Sequence, residues 1–196
     1  MPHFTTTIAA TAGAAMLAAS AASAALVDPN PANSDVPQAG DTLVVTSDDA
    51  SIVATFSRIN GNALSLINNN AGTLGGIGIR GNSSGNINVD EVLVVDFDQD
   101  IYLDSVAFLF LNSTSESATI SIVDSGGSTT FTTTVTEDFT PTGQLLVPDA
   151  STLRFAAGSS DTTFGVDTLS VTAVPEPASA LAGLAGLGLV AMRRRK

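Results

Sequence analysis

Between Thr42 and Thr172 apolar and polar positions alternate with a period of two, in short runs broken by clusters of Gly, Asn, Ser and Asp. A strand points successive side chains to opposite faces, so this alternation predicts strands with one buried and one solvated face. Ile120 and Ile122 share one face while Thr119 and Ser121 share the other, and Phe131, Thr133 and Val135 alternate with Thr132, Thr134 and Thr136 in the same way. The predicted strands cover residues 42–46, 51–59, 63–67, 77–80, 91–97, 101–111, 118–123, 129–136, 144–147, 152–156 and 164–172. Val106 to Leu111 is apolar on both faces, the pattern of a central strand. No window of this region carries a 3.6-residue apolar stripe. Short β-branched runs at this spacing predict an all-β domain, a β-sandwich of jelly-roll type, without fixing the strand order.

The connections are equally legible. Asp98-Gln99-Asp100 lies between two strong strands and reads as a hairpin, as does Asp124-Ser125-Gly126-Gly127. Residues 68–88 are rich in Gly and Asn and read as a long loop carrying one edge strand. Residues 28–40, with Pro29, Pro31 and Pro37, read as an extended lead-in.

The two ends differ from this pattern. Residues 8–19 are apolar and Ala-rich, and Ala22-Ser23-Ala24 follows the A-x-A cleavage pattern, so residues 1–24 read as a signal peptide with the mature chain starting at Ala25. At the other end Val174-Pro175-Glu176-Pro177 precedes an apolar stretch, residues 178–192, and the basic run Arg193-Arg194-Arg195-Lys196. Fifteen helical residues reach about 22 Å, against about 30 Å for the hydrocarbon core of a bilayer. The stretch is therefore a short span, and Gly183, Gly186 and Gly188 weaken it further. The prolines fix where its helix starts, and the basic end stays in the cytoplasm. With a cleaved signal peptide, the middle of the chain must then lie outside the inner membrane. Three segments result: a signal peptide (1–24), a β-sandwich (25–174) and a tail (175–196).

This tail, with its Pro-Glu-Pro, its Gly- and Leu-rich helix and its arginine cluster in that order, resembles the PEP-CTERM sorting signal of Gram-negative bacteria. The resemblance implies processing by an exosortase, a membrane-embedded cysteine peptidase, near Pro175 to Pro177. Val174, Pro175, Glu176, Pro177, Arg193, Arg194 and Arg195 are then the sorting and processing residues. It further implies export by the Sec machinery, a transient membrane stage through residues 178–192, and release to the cell surface or to an extracellular, biofilm-type polysaccharide matrix. It says nothing of the middle of the chain, because proteins sharing such tails differ there.

Charge and residue supply narrow what the middle can do. The chain carries a net charge of -12, and residues 25–174 hold three arginines against 18 Asp and Glu. Such a surface repels nucleic acid and anionic lipid. There is no Cys, and the one His lies at residue 3, so residues 25–174 have no imidazole base, no thiolate and no ordinary zinc ligands. Lys is missing from them too. The expectation is a non-enzymatic protein that requires no cofactor. A hydrolase working with carboxylates alone is the remotest alternative, since no motif selects a pair from so many.

Two weaker signals concern calcium. Asp96-Phe97-Asp98-Gln99-Asp100 is similar to the start of a calcium loop, but Ile101 and Ala107 stand where an EF-hand needs Gly and Glu, which favours a plain strand end and turn. Glu91 shares period-two parity with Leu93, Val95 and Phe97, and Asp167 with Leu169 and Val171. A carboxylate opening an apolar face needs a partner. A structural calcium held by Glu91 and Asp167 would supply one, as in the last strand of some jelly-roll carbohydrate-binding modules that the Phe-Gly-Val-Asp-Thr-Leu segment resembles. Bonds to local backbone N–H groups would serve equally. Carbohydrate binding is the main alternative function, discounted because Tyr102 is the sole Tyr and Trp is missing.

Overall fold

The computed structural model describes residues 23–29, 42–61, 63–68, 74–79, 86–111, 116–159 and 162–175. Residues 1–22 of the expected signal peptide, most of the lead-in, and Glu176, Pro177, Arg193, Arg194 and Arg195 lie outside these. The described residues form twelve strands and no helix: β1 (Ala24–Val27), β2 (Leu43–Thr46), β3 (Val53–Ile59), β4 (Leu64–Asn68), β5 (Leu74–Ile79), β6 (Val92–Phe97), β7 (Ile101–Leu109), β8 (Ala118–Asp124), β9 (Thr129–Val135), β10 (Leu145–Val147), β11 (Ser151–Ala157) and β12 (Gly165–Ala173).

They build two antiparallel sheets. One runs β2-β3-β6-β11-β8-β9. The other is organised around β12, which has β7 and then β10 along one side. Its other side is shared: β5 pairs at Val166 and leads on to β4, while β1 lies along Leu169 to Thr172. Buried residues of both sheets form one apolar cluster. Phe56, Leu93 and Phe155 enter it from the first sheet and Leu103, Val166 and Leu169 from the second, all at most 1% exposed. Phe108 of β7 sets its ring edge-on to Phe155 of β11, with centroids 5.9 Å apart. It meets Phe164 in the same way at 5.5 Å. Such edge-to-face pairs add about 0.5–1.5 kcal/mol beyond the area they bury.

Period-two alternation decides the faces as expected. Ile120 and Ile122 are buried where Thr119 and Ser121 are half-exposed. In β9, Thr130, Thr132 and Thr134 are exposed and Phe131, Thr133 and Val135 half-buried. Three expectations are corrected. The Asp98–Asp100 connection is a crossover between sheets: β6 pairs with β3 and β11, and β7 with β10 and β12. Two adjacent apolar strands satisfy local hairpin rules equally well when each has better partners elsewhere. The strand within residues 68–88 is β5, which lies between β12 and β4, so β4 takes the edge. β1 lies outside every predicted strand, and it opens at Ala24.

The β7–β12 ladder carries two irregularities. Val166 pairs with Phe108 and Thr168 with Ala107, so Asp167 is an extra residue on β12. Ser170 pairs with Ser105 and Val171 with Leu103, so Asp104 is an extra residue on β7. Each bulge undoes the slip of the other, and from Thr172–Tyr102 onward the ladder runs in the register it had at Val166. The Asp104 carboxylate accepts the Thr172 hydroxyl at 2.7 Å, tying the second bulge to β12.

Phe155 is fully buried in this core. Phe155→Ala is expected to cost about 3–5 kcal/mol, the loss of a buried aromatic plus the cavity it leaves. Urea unfolding checks this, and a loss below about 1 kcal/mol would mean that the two sheets do not share one core.

Candidate functional site

The site begins where β12 ends. Ala173 is the last ladder residue, paired with Ile101, and Val174 donates its N–H to the Asp100 carbonyl at 3.0 Å. Pro175 follows, exposed, with no N–H to carry the ladder on. The described chain therefore leaves the sheet at Pro175, with no linker between the last paired residue and the Pro-Glu-Pro.

The ground under this exit is well bonded. Asp100 Oδ1 accepts the N–H of Asp149 at 2.9 Å. Gln99 donates its side-chain amide to the Ser51 carbonyl at 2.6 Å. Asp98 is joined to Val53 twice: its N–H donates to the Val53 carbonyl at 3.1 Å, and its Oδ1 accepts the Val53 N–H at 2.9 Å. The Asp-rich segment 96–100 thus works as a strand end and a crossover, with Asp98 and Asp100 bound to backbone donors.

The β2–β3 turn extends this acidic rim. Asp49 Oδ1 accepts the hydroxyls of Ser51 at 2.6 Å and Ser47 at 2.7 Å, and the Ser51 N–H at 3.0 Å. The Ser51 hydroxyl first, then the Ser47 hydroxyl, hold its carboxyl below the ordinary value of 3.8. Asp48 reaches the other sheet. Its Oδ1 accepts the Leu26 N–H at 2.8 Å and its own N–H donates to the Leu26 carbonyl at 3.0 Å. β1 is therefore fastened to β12 by its ladder and to the first sheet through Asp48.

The two calcium candidates are placed differently. Glu91 is buried, as its parity with Leu93, Val95 and Phe97 requires. Its Oε2 accepts the Asn88 N–H at 2.9 Å and the Asn88 side-chain amide at 3.1 Å, while its own N–H donates to the Asn88 carbonyl at 3.1 Å. The carboxylate closes a turn on local donors. Asp167 departs from the expected parity: the bulge that makes it an extra residue takes it off the face of Leu169 and Val171, and it is only half-buried. Burial raises its carboxyl above 3.8, and the charges of Asp28 and Asp138 raise it further. Asp138 itself accepts the Phe108 N–H at 2.8 Å. Among the described residues no group of three or more acids is arranged to hold a metal ion. Tyr102 sits half-buried in β7, between Leu146 and Thr172.

Of the sorting residues, Val174 and Pro175 are described and stand at the exit. Residues 173–196 match the family model of the PEP-CTERM protein-sorting motif. The match starts at Ala173, the final residue of β12, so the motif abuts the fold. No curated protein sequence matches the chain. Such a motif implies a protein that exosortase sorts to the cell surface, and it is consistent with export and a membrane-anchored stage before sorting. Sequence patterning misses β1 and its bond to Asp48, although Ala25 and Val27 already alternate with the exposed Leu26.

Two outcomes test these placements. Glu91→Ala strands the Asn88 donors and is expected to cost about 1–3 kcal/mol in urea unfolding. The loss should be the same in chelator and in added calcium; a calcium-dependent difference would show that the carboxylate also holds a cation. For Asp167, the folded state binds the proton more readily than the unfolded chain. Its charge therefore costs stability above the raised folded value, and the cost disappears as pH falls through that value to 3.8. Asp167→Asn is expected to raise the thermal midpoint at neutral pH and to leave it unchanged in stronger acid. An equal rise at both would trace the gain to packing.

Proposed function

We propose that this chain is a non-enzymatic structural protein of the cell surface or extracellular matrix, built as a β-sandwich of jelly-roll type. Residues 1–24 would take it across the inner membrane through the Sec machinery, and residues 178–192 would hold it there until exosortase cuts near Pro175 to Pro177. The observation that carries the reading is the sorting motif starting at the last residue of β12. The jelly-roll part is supported by strand order: β5-β12-β7-β10 faces β6-β11-β8-β9, so successive strands from β5 to β8 alternate between sheets, as two Greek keys require. The non-enzymatic part is supported by the missing Cys, His and Lys of residues 25–174. The surface of three arginines and 18 acids suits a soluble, hydrated matrix component.

Intact-mass analysis of the exported protein tests the processing. The expected product starts at Ala25 and has lost the apolar stretch and the basic end. An exported form that keeps Arg193 to Lys196 would contradict exosortase processing.

A further inference from the structure

The outer N–H and C=O groups of an edge strand have no ladder partner, and such edges pair with other chains unless something blunts them. Among the described residues the sheets end at β2 and β9, at β10 and β4, and at the short β1. All but β9 are blunted. β10 has three residues and runs into Pro148. β2 has four and runs into Ser47, Asp48 and Asp49. In β1 the N–H and C=O of Leu26 are both taken by Asp48. The β4 ladder loses its register after Leu66. β9 is seven residues long, and its one irregularity, the extra residue Thr130, lies at the turn end. From Phe131 to Val135 it pairs with β8 residue for residue. No charged residue falls between Ser125 and Thr136, although residues 25–174 hold 18 acids.

The same stretch is self-complementary. Set antiparallel to a second copy about Thr133, it places Phe131 opposite Val135 and Thr132 opposite Thr134, each pair on one face of the joint sheet. Phe131 and Val135 are half-buried and pack against the core, and Phe131 also meets the Phe139 ring at 6.4 Å. A Phe–Val pair across the ladder covers what remains exposed of both. Thr132 and Thr134 are exposed on the outer face, and Thr–Thr is a favourable cross-strand pair. Centring the axis on Thr132 instead would draw the bulged Thr130 into the ladder. Glu137, the first acid after the strand, comes to one end of the joint ladder and its counterpart to the other. Their separation exceeds the roughly 8 Å screening length of physiological salt.

We propose that β9 is a homodimer edge: two copies join β9 to β9, antiparallel, and the six-stranded sheet continues through both molecules. The occupant is a second copy because the stretch matches its own sequence, and one two-fold axis satisfies both edges at once. The blunted β2 at the far end keeps the sheet from propagating, so the contact closes as a dimer. A five-residue ladder is small beside the roughly 1,200 Å² of a stable interface, so the dimer is weak. Each copy is strongly acidic, so association tightens as salt rises. This goes beyond the sorting scheme and does not depend on it.

The test is sedimentation of the full chain, from low micromolar to submillimolar concentration, in a mild detergent that keeps its apolar ends apart. Thr132→Lys with Thr134→Lys sets lysine against lysine twice across the axis. It should weaken the dimer about tenfold, even though it lowers the net charge and with it the general repulsion. Thr132→Lys with Thr134→Glu sets opposite charges together twice and should restore association to the wild-type level or above. Both positions are exposed, so the fold tolerates these changes. Because the chain has no Cys, disulfides report the register. A mixture of Thr132→Cys and Thr134→Cys chains should form linked dimers well above either variant alone, since opposed residues stand about 5 Å apart. A wild-type chain that stays monomeric throughout would leave the edge to a strand of another protein, or to none, and overturn the proposal. A dimer in which the Lys/Lys and Lys/Glu variants behave alike, or in which the mixed cysteines do not link, would place the contact on another surface and overturn it equally.

Discussion

The ladder of β12 is the constraint on which the second sheet depends. One nine-residue strand must satisfy β7 along its whole length on one side and divide the other between β5 and β1. Its buried residues, Val166, Leu169 and Val171, then form part of the core that both sheets share. The same strand delivers the chain to Val174 and Pro175, so the packing of the core and the point where the sorting motif begins are fixed by one set of backbone hydrogen bonds. A proline at the next position ends the ladder because it brings no donor.

Acidic residues dominate the described loops near this exit, yet most of the carboxylates have identifiable partners. Asp48, Asp49, Asp98 and Asp100 each accept backbone N–H groups that turns and strand ends leave unpaired. Short acids are well suited to this because they reach nearby backbone at little entropic cost. The charge of the domain is thus partly a by-product of how its connections are closed. Asp167 differs: burial and the charges of Asp28 and Asp138 all oppose its ionisation.

Most strands are legible in the sequence because alternation and β-branched residues report burial directly. Ile120, Ile122, Leu153 and Phe155 fall where period two puts them. What the sequence hides is whatever depends on pairing. The Asp98–Asp100 crossover obeys the same local chemistry as a hairpin, and only the partners of β6 and β7 distinguish the two. β1 is four residues of small apolar character beside an Ala-rich segment, too short to stand out as a strand. Parity places Glu91 on an apolar face, where it lies, but its partner Asn88 is a turn residue that parity cannot reveal. For Asp167 the count fails because a bulge breaks it. The sorting tail is legible in full, since its signal is a linear order of residue types that no folding is needed to read.

The paired bulges have a consequence for how this domain can change in length. Losing Asp167 alone would leave the extra residue on β7 uncompensated, and Val174 would fall out of step with Asp100. Losing Asp104 alone would produce the opposite slip. Descendants of this gene that shorten one strand should therefore shorten the other as well, so the two aspartates are bound to a shared fate by arithmetic, whatever their chemistry.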